Sequence, residues 1–269
     1  MANPVFDNSA LFGDQRRVGR GGTLAQGAAG AQTADAVTLE QMYATPDATT
    51  RETGRMTYDD VIIRTVGLLA LLVVAGAATW VLAPELFWAG AIVGLVLGLV
   101  NAFKKKPSPV LITLYALAQG VFLGGISAFY EAKWNGIVGQ AVLATLCVFV
   151  VSLVAFRSGK VRVTPKFTRG LMIGMVGYLL FSLINVGMML FGVNGGDFGP
   201  LRSGPWGILV GLFAVGLAAA SLVVDFDSIK RGVDRGVPRS FAWYASFGLL
   251  VTLIWLYLEL LRIIAIFRN

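Results

Sequence analysis

Between Thr65 and Ala83 the chain reads TVGLLALLVVAGAATWVLA, a run without one charged side chain. A helix rises about 1.5 Å per residue, so a run of this length crosses a hydrocarbon core about 30 Å thick. Six further runs of the same character follow, and the spans read as 65–83, 86–103, 109–130, 136–156, 170–193, 206–224 and 241–267. The expected fold class is an all-α integral membrane protein with seven transmembrane helices. Of the fifteen Asp and Glu residues only Glu259 falls inside an apolar segment, and Asp225 stands at the edge of another. An acid within a membrane is costly unless paired or hydrated, so these two are the first candidates for function.

Composition supports the same class. The chain is 56% hydrophobic and 14% charged with a mean hydropathy of +0.73, where a soluble domain carries about 25% charged residues. There is no histidine, which removes the commonest general base, the commonest metal ligand and the usual sensor near pH 6. The HExxH helix of a metalloprotease and an intramembrane Ser-His dyad are therefore excluded. A membrane aspartyl protease needs two facing aspartates, and no GxxxxGK[ST] loop is present, so enzymatic chemistry is not expected and no cofactor is implied. The single cysteine, Cys147, reads as a small apolar side chain buried within its span.

Residues 1–56 differ in composition, rich in Gly, Ala, Thr, Gln, Asp and Arg. They read as a disordered segment, and they lack the basic start and apolar run of a signal peptide. Order is expected to begin at Thr57, where Thr57 and Asp60 have the spacing of a capping box. The loops alternate in charge. Residues 104–106, 157–169 and 225–240 hold twelve Lys and Arg, while 84–85, 131–135 and 194–205 hold two, Lys133 and Arg202. By the positive-inside rule the N-terminus is cytoplasmic and, with seven spans, the C-terminus is outside. The net charge of +7 is thus mostly topology, and short basic loops without an aromatic stacking set do not suggest nucleic acid. Glycines at spacing near four, such as Gly90, Gly94 and Gly98, Gly120 and Gly124, Gly170, Gly174 and Gly177, and Gly207 and Gly211, are expected to pack helices closely. Gln119, Gln140, Asn101, Asn185 and Thr252 either line a path or bridge helices.

Three stretches carry a resemblance: LYALAQGVFLGGISAFY (114–130), LVVDFDSIKRG (222–232) and FGLLVTLIWLYLELLRII (247–264). Together, over residues 57–268, they resemble the transmembrane BAX inhibitor motif family and its bacterial members in particular. The resemblance implies a central C-terminal helix with the first six spans around it as two groups of three. It also implies a pH-sensitive calcium leak, latched by an aspartate on the sixth helix, an aspartate on the seventh and a basic residue from the second. Asp225, four positions before Ile229, matches the sixth-helix aspartate. On the seventh helix the chain departs from the family, because the latch position falls on Thr252 if LLR (260–262) sets the register and on Glu259 if LYLE (256–259) does.

Depth favours Thr252. Glu259 lies about 27 Å along a helix that starts near Phe241, whereas Asp225 ends a span running the other way, so the two carboxylates should not touch. Asp227 reads as a solvated interfacial charge, and Lys104, Lys105 and Lys106 occupy the place of the family's basic residue as possible latch partners. Pairing of Asp225 with Lys230 or Arg231, and of Glu259 with an Arg262 that snorkels outward, are the purely structural alternatives.

The function expected is a passive, acid-responsive calcium leak in a bacterial plasma membrane, with lipid, calcium and protons as partners. Asp225, Thr252 and Glu259 are its gating residues, and Asp225 and Glu259 its transient calcium contacts. A proton-coupled transporter using Glu259, or a non-conducting regulatory membrane protein, are the alternatives.

Overall fold

The computed structural model describes residues 54–268 except 160, 194, 195 and 197, so residues 1–53 of the expected disordered segment lie outside the described residues. Among the described residues seven helices are long and apolar enough to cross a membrane. They are α1 (Tyr58–Leu82), α2 (Phe87–Phe103), α3 (Pro109–Lys133), α4 (Ile137–Arg157), α5 (Pro165–Leu190), α6 (Gly204–Asp234) and α7 (Ala242–Arg268), with single 3-10 turns at Pro84–Leu86 and Arg239–Phe241.

Local chemistry explains the ends. The capping box forms as read: Thr57 Oγ1 accepts from the Asp60 amide at 3.1 Å, and the Thr57 amide donates to Asp60 Oδ2 at 3.4 Å. Thr164 caps α5 through the Phe167 amide, and Pro109 and Pro165 open α3 and α5, where a missing N–H costs nothing. Pro84 breaks the chain between α1 and α2, and Gly136, at φ +79, turns it between α3 and α4.

The described residues just before the capping box pack onto the turn after α6. The Met56 amide donates to Val237 O and the Arg239 amide to Gly54 O, each at 2.8 Å. Arg239 Nε also reaches Asp60 Oδ1 at 2.7 Å. This strap ties the entry of α1 to the turn between α6 and α7, with Met56 buried against the core.

The seventh helix is central, as the family resemblance implied. In its most apolar window 61% of residues are buried, against 17–44% in the other six. Leu250 and Leu256 are fully buried on it. Helices α1 and α2 both pack on α3, and α4 and α5 both pack on α6, while α1, α3, α4 and α6 touch α7. The other faces carry exposed Val74, Leu95, Leu143, Val151 and Ile173, which cost nothing in hydrocarbon. Cys147 belongs to that outward surface and is exposed, contrary to the buried position expected of it. In a membrane helix an apolar setting does not distinguish core from lipid.

The glycines divide in the same way. A Cβ on Gly124 would lie 2.2 Å from Gly76 O, and one on Gly90 2.6 Å from the Phe122 amide nitrogen, so backbones meet there. Gly170 and Gly177 have nothing within 4 Å. They do not pack helices, and only Gly174 of the α5 set meets a neighbour, Leu217.

Helix α6 is longer than its apolar run. The span read as ending at residue 224 continues to Asp234. Its last turns are amphipathic: Phe226 and Ile229 are buried while Ser228, Lys230 and Arg231 are exposed, so charge ended the apolar run without ending the helix. Asp225 therefore stands nine residues inside the helix rather than at its end, about 13 Å from it.

Candidate functional site

Two polar groupings lie along α7. The first joins it to α6: Thr252 Oγ1 donates to Asp225 Oδ2 at 2.8 Å. The same hydroxyl lies 3.1 Å from Gly248 O, but it has one proton, and the shorter contact goes to the acid. Thr252 is buried, and Asp225 is half-buried. Ten residues into α7, Thr252 is about 15 Å from the start of that helix, so the pair lies well inside both helices.

Among the described residues no basic side chain pairs with Asp225. Arg231 instead reaches Asp227 Oδ2 at 2.6 Å, because these two are one turn apart on one face. Asp227 is thus an ion-paired residue rather than a freely solvated charge. Lys104, Lys105 and Lys106 follow α2 and are exposed, and none joins an ion pair among the described residues. The bond from Asp225 goes to the seventh helix alone.

The second grouping centres on Glu259, which is 5% exposed. Arg262 Nη2 and Nε approach its Oε2 at 2.5 and 3.2 Å. Arg202 Nη2 approaches Oε1 at 2.7 Å, and the Tyr178 hydroxyl donates to Oε1 and accepts from Arg202. Arg202 also lies over the Tyr178 ring, 5.3 Å from its centroid. Two guanidinium groups thus share one carboxylate.

The pairing of Glu259 with Arg262 follows from their spacing, but Arg262 does not snorkel outward. It is 6% exposed and turns inward, with Nη1 3.4 Å from Gly207 O and 3.5 Å from Arg202 O. Gly207 and Gly211 make the room: a Cβ on Gly211 would stand 3.2 Å from Arg262 Nη2, and one on Gly207 2.2 Å from Arg202 O.

Arg202 and Tyr178 do not stand out in the sequence. Arg202 reads as one of two basic residues in the lightly charged loops, and Tyr178 as an aromatic within an apolar span. The available signal is that a buried acid requires cations, and Arg202 is one of two such residues in those loops. Asn185 fixes the loop in which Arg202 sits, donating to Phe198 O and accepting from the Leu201 amide, both at 3.0 Å. Of the other embedded polar residues, Asn101 bonds back to Leu97 O on its own helix, Gln119 lies against Gly94 of α2, and Gln140 is exposed. None of the three joins the line along α7.

Thr252 and Glu259 are seven residues apart on one face of α7, about 10 Å. Along that line the oxygens of Asp225, Thr252 and Gly248 are of the kind a hard cation accepts. They are too few to store one, and no group of three or more His, Cys, Asp or Glu able to hold a metal exists among the described residues. The arrangement holds helices together through bonds that depend on charge.

A comparison with curated proteins gives no match. A family model described as Bax inhibitor 1 like matches residues 3–269. The match takes in residues 3–56, which the resemblance in the sequence had left outside. By a match that covers nearly its whole length, and with the central seventh helix that the resemblance implied, the chain belongs to the Bax inhibitor 1 like family.

Proposed function

We infer that this protein is a passive leak for hard cations, calcium foremost, held closed at Asp225 and Thr252 and opened by acid. The observation that carries the reading is a carboxylate well inside α6 that bonds across to α7 and has no paired cation among the described residues. A hydrogen bond to an ionised acceptor is about twice as strong as one between neutral groups. Protonation of Asp225 removes that advantage, so α6 loosens from α7 as pH falls. An embedded acid is retained where it serves an ion or proton path, which favours this reading over a purely structural role.

The charges support a cytoplasmic face at residues 104–106, 157–169 and 230–240 and an outward C-terminus, in a bacterial plasma membrane. In a Cys147→Ala background, Glu85→Cys is expected to react in intact cells with an impermeant thiol reagent, and Lys105→Cys to react only after lysis. The reverse pattern overturns the orientation.

A proton carrier must release its proton to both sides in turn. Glu259, bonded to two guanidiniums and a phenol, is poorly placed for that exchange, so the transporter reading is the weaker one. Purified protein in liposomes under a calcium gradient alone separates the readings. Downhill calcium entry that increases as pH falls supports the leak. Flux that requires a proton gradient indicates a transporter, and no flux at either pH indicates a non-conducting protein.

A further inference from the structure

We propose that Arg202 is a tethered cation that occupies the cation position at Glu259 and closes the end of the α7 polar line opposite the basic loops. Resting on the leak reading, this gives the path two closures in series, Asp225 with Thr252 and, about 10 Å further along α7, Arg202 with Glu259.

The two arginines on Glu259 are not equivalent. Arg262 is on α7 itself, spends two N–H groups on Oε2 and another on backbone carbonyls, and its side chain is 8% exposed. It belongs to the scaffold. Arg202 comes from the connection between α5 and α6, reaches Oε1 through one nitrogen, and is 16% exposed. Its Nε is buried without a hydrogen-bond partner, the only guanidinium nitrogen so placed among the described residues. Arg202 is therefore the less fully satisfied partner and the one nearer water.

Its removal demands movement of a loop and not of a helix. Tyr178 is a positioning residue, because its ring and hydroxyl hold the guanidinium over Glu259.

Charge gives the device its effect. With both arginines in place the cluster carries an excess positive charge in a setting of low dielectric, where repulsion of an arriving cation is strong. Without Arg202, Glu259 and Arg262 form a neutral pair, and Oε1 is left as an open carboxylate oxygen of the kind that a hard divalent cation takes. An arriving cation thus meets either a barrier or a contact, according to the position of one loop side chain.

Ser221 supplies a readout that does not depend on conduction. It is one turn from Asp225 on α6, on the side of Glu259, and it is 8% exposed. In a Cys147→Ala background, Ser221→Cys, whose parent hydroxyl donates to Met175 Sδ of α5 at 3.5 Å, is a near-isosteric probe at a level along α6 between the two closures. In liposomes, the rate of its modification by a small impermeant cationic thiol reagent is compared with Arg202 intact, Arg202→Gln and Arg202→Lys, each checked by thermal unfolding. The expected result is about tenfold faster labelling for Arg202→Gln, within the range of coupled sites. Arg202→Lys should stay near the parent rate because the tethered charge remains, and acid-driven calcium flux should rise several-fold for Arg202→Gln alone. Equal labelling of Ser221→Cys in all three folded proteins overturns the proposal, as does equal acceleration by Gln and Lys, which would assign Arg202 to packing. Faster labelling for Arg202→Gln with no calcium flux from any variant leaves the closure standing and removes the leak.

Discussion

Glu259→Gln is expected to lower the stability of the protein more than any other single carboxylate replacement. The amide keeps the shape of the side chain but removes the charge between Arg202 and Arg262, leaving two desolvated guanidiniums facing each other. Removing one partner of a buried ion pair typically costs about 3–5 kcal/mol, because the remaining charge is stranded. Two stranded like charges put this site at the upper end of that range. Arg202→Gln is expected to be milder, since Glu259 and Arg262 remain a neutral pair, and Glu85→Gln, at an exposed turn, is expected to change almost nothing. Thermal unfolding of the four purified proteins in one detergent provides the comparison. A midpoint for Glu259→Gln equal to that of Glu85→Gln would mean that the cluster is hydrated and not buried.

The second large effect belongs to the contact between α1 and α3. Gly124→Ala places a methyl group 2.2 Å from Gly76 O, against backbone that has no rotamer to give. The helices must separate, and overpacking of this kind costs about 1–3 kcal/mol, occasionally more. Gly177→Ala makes a matched control. It is also a helical glycine in a span, but it has open space around it, and alanine is favoured over glycine in a helix by about 1 kcal/mol. The two substitutions, identical in chemistry, should shift the unfolding midpoint in opposite directions. Shifts of the same sign and size would contradict the close approach of α1 and α3.

The difference between Gly124 and Gly177 also shows where the sequence stops being informative. Spacing put both on a small-residue stripe, and nothing in the chain says which stripe faces a helix and which faces lipid, because hydrocarbon and protein core are alike to an apolar side chain. The same ambiguity misplaced Cys147. Span positions, the capping box of Thr57 and Asp60 and the central seventh helix were legible, since they rest on length, local hydrogen bonding and a family pattern. The end of α6 was not, because a charge such as Asp225 breaks an apolar run without breaking a helix.

At the site, the preference for Thr252 over Glu259 as the neighbour of Asp225 came from depth along two antiparallel helices, and the 2.8 Å bond agrees with it. The partners of Glu259 were only half legible. Arg262 is three residues away in sequence, whereas Arg202 is brought in by a loop whose course depends on Asn185 and the glycines of α6.

The claim that acid opens a calcium path by weakening the bond between Asp225 and Thr252 is tested most directly by calcium entry into proteoliposomes at neutral and acidic pH. Four proteins are needed: wild type, Asp225→Asn, Thr252→Val and the double variant, each shown to be folded. Wild type should be nearly closed at neutral pH and open with acid. Asp225→Asn should conduct at both, raised at neutral pH by about 5- to 150-fold, the usual range for a coupled site of 1–3 kcal/mol. Thr252→Val should also raise neutral flux, and the double variant should add little to either single change, because one bond is lost in all three. Equal flux from all four, unchanged between neutral and acidic pH, would contradict the account.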